Sequence, residues 1–171
     1  ANWSPDKHAE LLHTKIRSPL HDSTFSLLTY NIGYLSGMTN NETVKRNRSL
    51  FDSNLQNAQN LIKQLQPDIV CFQEIDYESS RSYEVNQEEA FTKTGYTYTA
   101  RAINWDKKYV AFPYWPISMH FGKIVSGQSV LSKYPIEDQQ IDTLAKISTA
   151  PFFYNAFYLE RLGQIIKVKI D

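Results

Sequence analysis

The chain has 171 residues, 42% hydrophobic and 21% charged, and its 18 basic and 18 acidic side chains cancel. That size suits one domain with a substantial core, and the neutral balance excludes a polyanion-binding surface spread over the whole chain, though not a local basic patch. No apolar run approaches the ~20 residues of a membrane span, and the lone Cys71 is expected to pack as a small hydrophobe, with no internal disulfide available to it.

In chain order, residues 1–23 read as a polar arm carrying Pro5, Pro19 and three of the four histidines, with a short helical turn around Ala9 to Ile16. His21 and Asp22 are adjacent, and adjacent side chains rarely converge, so the pair reads as loop. The chain starts at Ala1 without an initiator Met, which leaves export of a soluble protein after leader removal open. Three Asn-x-Ser/Thr sequons, at Asn2, Asn41 and Asn47, decide nothing about compartment.

Phe25 to Ile32 is the first strong strand, followed by Gly33 and a polar loop over Ser36 to Thr43. A helix is expected from about Asp52 to Gln66, because Leu55, Ala58, Leu61, Ile62 and Leu65 form one apolar stripe at three- and four-residue steps. Pro67 stops it. Ile69 to Phe72 then reads as a strand buried on both faces that ends in Gln73-Glu74. Strand, helix, strand in this order implies a crossover with the two strands parallel. Their C-terminal ends share an edge, so Asn31 and Glu74 are expected to be neighbours there, and such edges are the usual ligand crevices of α/β folds.

Further on, Gln87 to Thr94 reads as a short helix ending at Gly95, and Tyr96 to Ala102 as a strand. Asn104 to Gly122 reads as an aromatic, proline-stiffened loop that packs by default. Stacking on bases or touching a lipid interface are its other uses. Gln128 to Ser132, Ile136 to Leu144, Phe152 to Leu162 and Gln164 to Ile170 are the remaining strand candidates. A rigidly held, half-dry carboxylate such as Glu74 suits a hard divalent cation held against a phosphate. The plainer reading is a solvated Glu at a strand end.

Three stretches decide between these readings: Leu28-Thr29-Tyr30-Asn31-Ile32, Pro67 to Glu74, and Ser126-Gly127-Gln128-Ser129-Val130-Leu131-Ser132-Lys133-Tyr134-Pro135-Ile136. In this order, each on a suitable strand, they resemble the endonuclease/exonuclease/phosphatase superfamily, which includes DNase I-like nucleases, inositol-phosphate phosphatases and neutral sphingomyelinases. The resemblance covers residues 24–171 and leaves the arm outside. It implies half of a four-layer α/β/β/α sandwich, a mixed sheet with helices on one face. It also implies a hydrolase that cleaves a phosphate ester by in-line attack of water, with Mg²⁺ (or Mn²⁺) as cofactor and nucleic acid, inositol phosphate or a phospholipid head group as substrate.

By this resemblance Glu74 is a metal ligand, and Asn31 helps position both metal and phosphate. An amide supplies acceptor and donors without adding charge, which suits that double task. Arg161, in Leu159-Glu160-Arg161-Leu162, is a candidate for stabilising charge on the phosphoryl group, with an ordinary salt bridge as its plainer role. Arg81 and His120 are candidate substrate contacts, set against a loop salt bridge for Arg81 and a loop role for His120.

The family's downstream elements, a Ser-Asp-His stretch, a later Asp-x-Asn pair and a terminal Asp-His pair, have no counterpart here. Asp52-Ser53-Asn54 is the sole Asp-x-Asn; it precedes the Gln-Glu strand, and helix capping explains Asp52 better. The chain is therefore expected to hold only the first half of such an active site, to need a C-terminal half, and to be inactive alone. The alternative is a catalytically inactive binding module. Either way, the inner face of the sheet should be exposed.

Overall fold

The computed structural model describes residues 9–13, 24–39, 42, 44–145, 149 and 159–170. Two strands, β1 (Ala9–His13) and β2 (Leu27–Asn31), precede helix α1 (Arg48–Leu65). Strand β3 (Ile69–Asp76), helix α2 (Gln87–Thr92), then strands β4 (Tyr98–Val110), β5 (Gly122–Ser132), β6 (Ile136–Thr143) and β7 (Leu162–Val168) follow. The first five strands form one mixed sheet in the order β1-β4-β5-β3-β2, and β6 and β7 pair as an antiparallel hairpin. β2 and β3 are parallel, as the crossover predicts, with Asn31 opposite Gln73.

Alternation along the strands separates two faces. Val70, Phe72, Ile75 and Leu131 point to the side covered by α1 and α2, where they meet Phe51, Ala58, Ile62 and Phe91. Phe72 stacks on Phe91 with ring centroids 4.5 Å apart, a geometry worth about 1 kcal/mol beyond the burial itself. On the opposite face Ile69, Ala100, Val130 and Tyr134 pack with Ile136 of β6 and with Ile166 and Val168 of β7. The hairpin is pinned by Gln139 and Gln164, whose side-chain amides donate to the Arg101 and Ala100 carbonyls of β4. β2 is left less covered, with Leu27 57% exposed on this inner face beside exposed Thr29 and Asn31.

Four local expectations differ from the structure. Residues 9–13 form a strand paired antiparallel with β4 instead of a helical turn; the edge of β4 offers backbone partners that local propensity cannot reveal. Helix α1 starts at Arg48, and its cap is Asn47, whose Oδ1 accepts from the Leu50 amide; Asp52 instead pairs with Arg48 one turn away. The asparagine outcompetes Asp52 because it stands just before the first helical residue, with its side chain beside the open amides. Strand β3 runs two residues past Glu74, and β4 continues to Val110, so the first seven residues of the presumed aromatic loop are strand. Residues 152–158 of a predicted strand lie outside the described residues, and 159–161 are irregular.

Candidate functional site

The site is assembled at the C-terminal edge of the parallel pair. The Ile32 amide donates to the Gln73 carbonyl at 3.1 Å, extending the ladder past Asn31. Directly after it, Gly33, Tyr34 and Leu35 all take positive φ, at 52°, 55° and 60°. Left-handed backbone in successive residues turns the chain sharply and folds Tyr34 back into the interior. The Gly33 amide donates to Asn31 Oδ1 at 3.0 Å, which orients the exposed Asn31 amide while leaving that oxygen a second lone pair.

Glu74 also has positive φ, 52°, and falls in a bulge between the rungs Gln73–Gln128 and Ile75–Gly127. The expectation of a carboxylate at a strand end thus becomes a half-buried carboxylate at a bulge inside a strand. A bulge re-aims the side chain it carries, and bulges gather next to active sites for that reason. β4 has an irregularity at the same level, between Ile103–Gly127 and Trp105–Ser126, with Asn104 out of register. Both irregularities flank Gly127. Asn31, Gln73 and Gln128 lie in register across three neighbouring strands and form a polar row beside Glu74.

Behind the row lies a buried cluster that sequence reasoning did not assemble. Arg81 donates through Nε and Nη2 to both Asp76 carboxylate oxygens, at 3.0 and 2.9 Å. Its guanidinium lies 3.4 Å from the Tyr34 ring centroid, with Trp105 and Phe121 at 5.1 and 5.3 Å. Burial pushes the Tyr34 phenol above its ordinary value, Arg81 opposes this, and Glu74 and Asp76 add to it. For Arg81 burial disfavours the charge, and Asp76 and Tyr34 more than restore it. Of the two readings for Arg81, the structure shows the salt bridge: a side chain only 6% exposed, bound through Nε and Nη2, faces Asp76. The signal in the sequence was the Asp76 to Arg81 spacing around a tight turn, which no periodicity rule reads.

A second buried network supports the sheet from the helix side. Glu88 of α2 accepts from Arg101 and from the Ser129 hydroxyl, and Ser129 meets the Tyr77 hydroxyl at 2.8 Å. Tyr77 in turn donates to the Gln128 carbonyl at 2.7 Å, directly under the polar row.

Arg161 is exposed and stands just before β7. Its carbonyl accepts from the Leu144 amide, the Glu160 amide donates to the Asn104 carbonyl, and Gln128 Nε2 donates to the Leu162 carbonyl. These anchors carry Arg161 to the level of the bulges and the polar row. His120 stands elsewhere. β4 and β5 stay paired beyond the last β3 rung, Asp76–Ser126, and form an arm. His120 sits on this arm with Nδ1 2.6 Å from the Tyr109 hydroxyl, and its carbonyl accepts from Arg46. Phe112 and Phe121 pack together in the arm, whereas Tyr114 and Trp115 at its tip are 79% and 75% exposed.

Among the described residues no group of three or more His, Cys, Asp or Glu side chains is arranged to hold a metal. Mg²⁺ does not require one. It is commonly bound through one or two carboxylates, with water and substrate oxygens completing the shell. Glu74 and the Asn31 amide oxygen are hard oxygen donors at one edge, and they fit such a cation.

Residues 28–162 match the model of the Endonuclease/Exonuclease/phosphatase family, and the chain belongs to that family. Its fold is of the DNase I-like type. It is similar to an endonuclease/exonuclease/phosphatase from Beutenbergia cavernae DSM 12333, at 17% identity and TM-score 0.51, over 85% of this chain and 34% of that one. It is also similar to ANGEL2, a 2',3'-cyclic phosphatase, at 13% identity and TM-score 0.52, over 95% of this chain and 40% of that one. The chain thus spans between a third and two fifths of these structures. No curated protein sequence matches it.

Proposed function

We propose that this chain carries the metal-binding portion of the active site of a Mg²⁺-dependent phosphoester hydrolase. The observation that carries the reading is the placement of Glu74 in a left-handed bulge, one residue past the rung that pairs Gln73 with Asn31. A carboxylate held in a strained conformation at a sheet edge is the expected signature of a functional position. Glu74 and Asn31 would hold the cation, which when bound supplies charge neutralisation on a phosphoryl oxygen. Asn31, oriented by the Gly33 amide, would donate to a phosphate oxygen. Arg161 is the candidate for stabilising the charge that develops there. Activation of the attacking water falls to residues outside this set, so hydrolysis is expected from a longer polypeptide or assembly and not from these residues alone. The substrate is a phosphate ester.

Mn²⁺ titration followed by ¹H–¹⁵N NMR tests the metal assignment. Paramagnetic broadening should centre on residues 31–33 and 73–75 and should vanish in Glu74→Ala. Unchanged broadening in that variant would overturn it. The exposed tip residues Tyr114 and Trp115 favour a second reading, a binding module without metal, which would show no localised broadening in the unmodified chain.

A further inference from the structure

The end of β2 that carries Asn31 and the bulge of β3 that carries Glu74 are joined by one side chain from a third element. Gln87 is the first residue of α2, and it is fully buried. Its Oε1 accepts from the Asp76 amide at 2.9 Å, and its Nε2 donates to the Tyr34 carbonyl at 3.0 Å. Asp76 is two residues past Glu74. Tyr34 directly follows Gly33, the residue whose amide orients Asn31. One primary amide therefore spans the turn after β2 and the resumed ladder after the bulge. Both backbone groups lie in the interior, where no solvent can replace a missing partner.

The α2 segment is itself held firmly. Asn86 caps it by accepting from the Glu89 amide, and Asn86 forms a bridge with Tyr77. Phe91 anchors it against Phe72, and Glu88 binds Arg101 beneath the sheet. A rigid element thus presents a rigid amide. A carboxylate lacks the donor, and a hydroxyl carries donor and acceptor on a single oxygen, whereas the amide has them on separate atoms, each here bonded to a different backbone segment.

We infer that Gln87 is a positioning residue that fixes Asn31 and Glu74 relative to one another for cation binding. The inference rests on the metal assignment proposed above. Outer partners of metal ligands are commonly worth tenfold or more in affinity.

The test compares Mn²⁺ binding by the unmodified chain, by Gln87→Met, and by a control of matched melting temperature made at Ile62, which is buried in the same core. Gln87→Met should weaken Mn²⁺ binding about tenfold, while the Ile62 control binds like the unmodified chain. Equal affinity in Gln87→Met, or equal weakening in the Ile62 control, would overturn the inference. Amide hydrogen exchange supplies a readout that does not depend on metal. In Gln87→Met the Asp76 and Gly33 amides should both lose protection, whereas the Ile62 control should keep the Gly33 amide protected. If the unmodified chain shows no localised Mn²⁺ broadening, the metal reading fails by itself. Exchange then decides the brace, and unchanged protection at Gly33 would sink it.

Discussion

Gly127 meets Ala102 so closely that a Cβ on the glycine would stand 1.9 Å from the Ala102 carbonyl oxygen. Gly127 is also the residue flanked by the irregularities of β3 and β4, so the absence of a side chain lets β4 approach β5 closely at the level of Glu74. Gly127→Ala should therefore separate β4 from β5 at this rung and cost about 3 kcal/mol or more, the upper end for overpacking a core. Urea denaturation checks this. A loss under about 1 kcal/mol would show that the strands can part without cost.

Glu74 supplies a sharper comparison. At φ 52° any residue with a Cβ is strained, and glycine is not. Glu74→Gly should therefore be more stable than Glu74→Ala by about 1 kcal/mol, although both lack the carboxylate and both should fail to bind Mn²⁺. Thermal unfolding of the two variants gives the difference directly. Equal stability would mean that the bulge relaxes once the Glu is gone.

Arg81 and Asp76 form a buried pair. Arg81→Met leaves a buried carboxylate without its cation and should cost about 3–5 kcal/mol. Adding Asp76→Asn should recover part of the loss, since the unpaired charge is then removed. A double-mutant cycle in urea measures the coupling. Simple additivity would show that the two residues stabilise the turn independently.

Asp68 predicts the acid behaviour. Burial by itself would raise its carboxyl pKa, but hydrogen bonds from the Ser26 amide and hydroxyl and the charge of Lys133 carry it below its ordinary value. The folded pKa is thus depressed below the unfolded one, so the stabilisation is present above the unfolded pKa and lost as pH falls through the folded pKa. Urea midpoints should decline between about pH 5 and pH 2, and Asp68→Asn should flatten that limb. An identical acid limb in the variant would assign the decline to other carboxylates.

Much of the fold could be read before any coordinates. The apolar stripe of α1, the run from Ile69 to Phe72 and the parallel crossover between them are local patterns with strong periodicity, and all three are present. Asn31 and Glu74 were legible as neighbours for the same reason, because parallel strands align their ends. Arg81 was not, since the partner that claims it is set by a turn and by burial. His120 was not either, because pairing with β5 carries β4 on to Val110, and that pairing moves the histidine onto an arm.

Which residues meet at the sheet edge follows from local pattern, because the parallel direction of β2 and β3 comes from short-range hydrophobic periodicity and chain connectivity. How they meet is set by packing. The bulge at Glu74 is defined by pairing with Gln128 and Gly127 of a strand some fifty positions later, and the link between Asn31 and Glu74 depends on Gln87 reaching in from a separate helix. Close approach of backbones and satisfaction of buried amides are properties of the packed chain, and no local pattern encodes them.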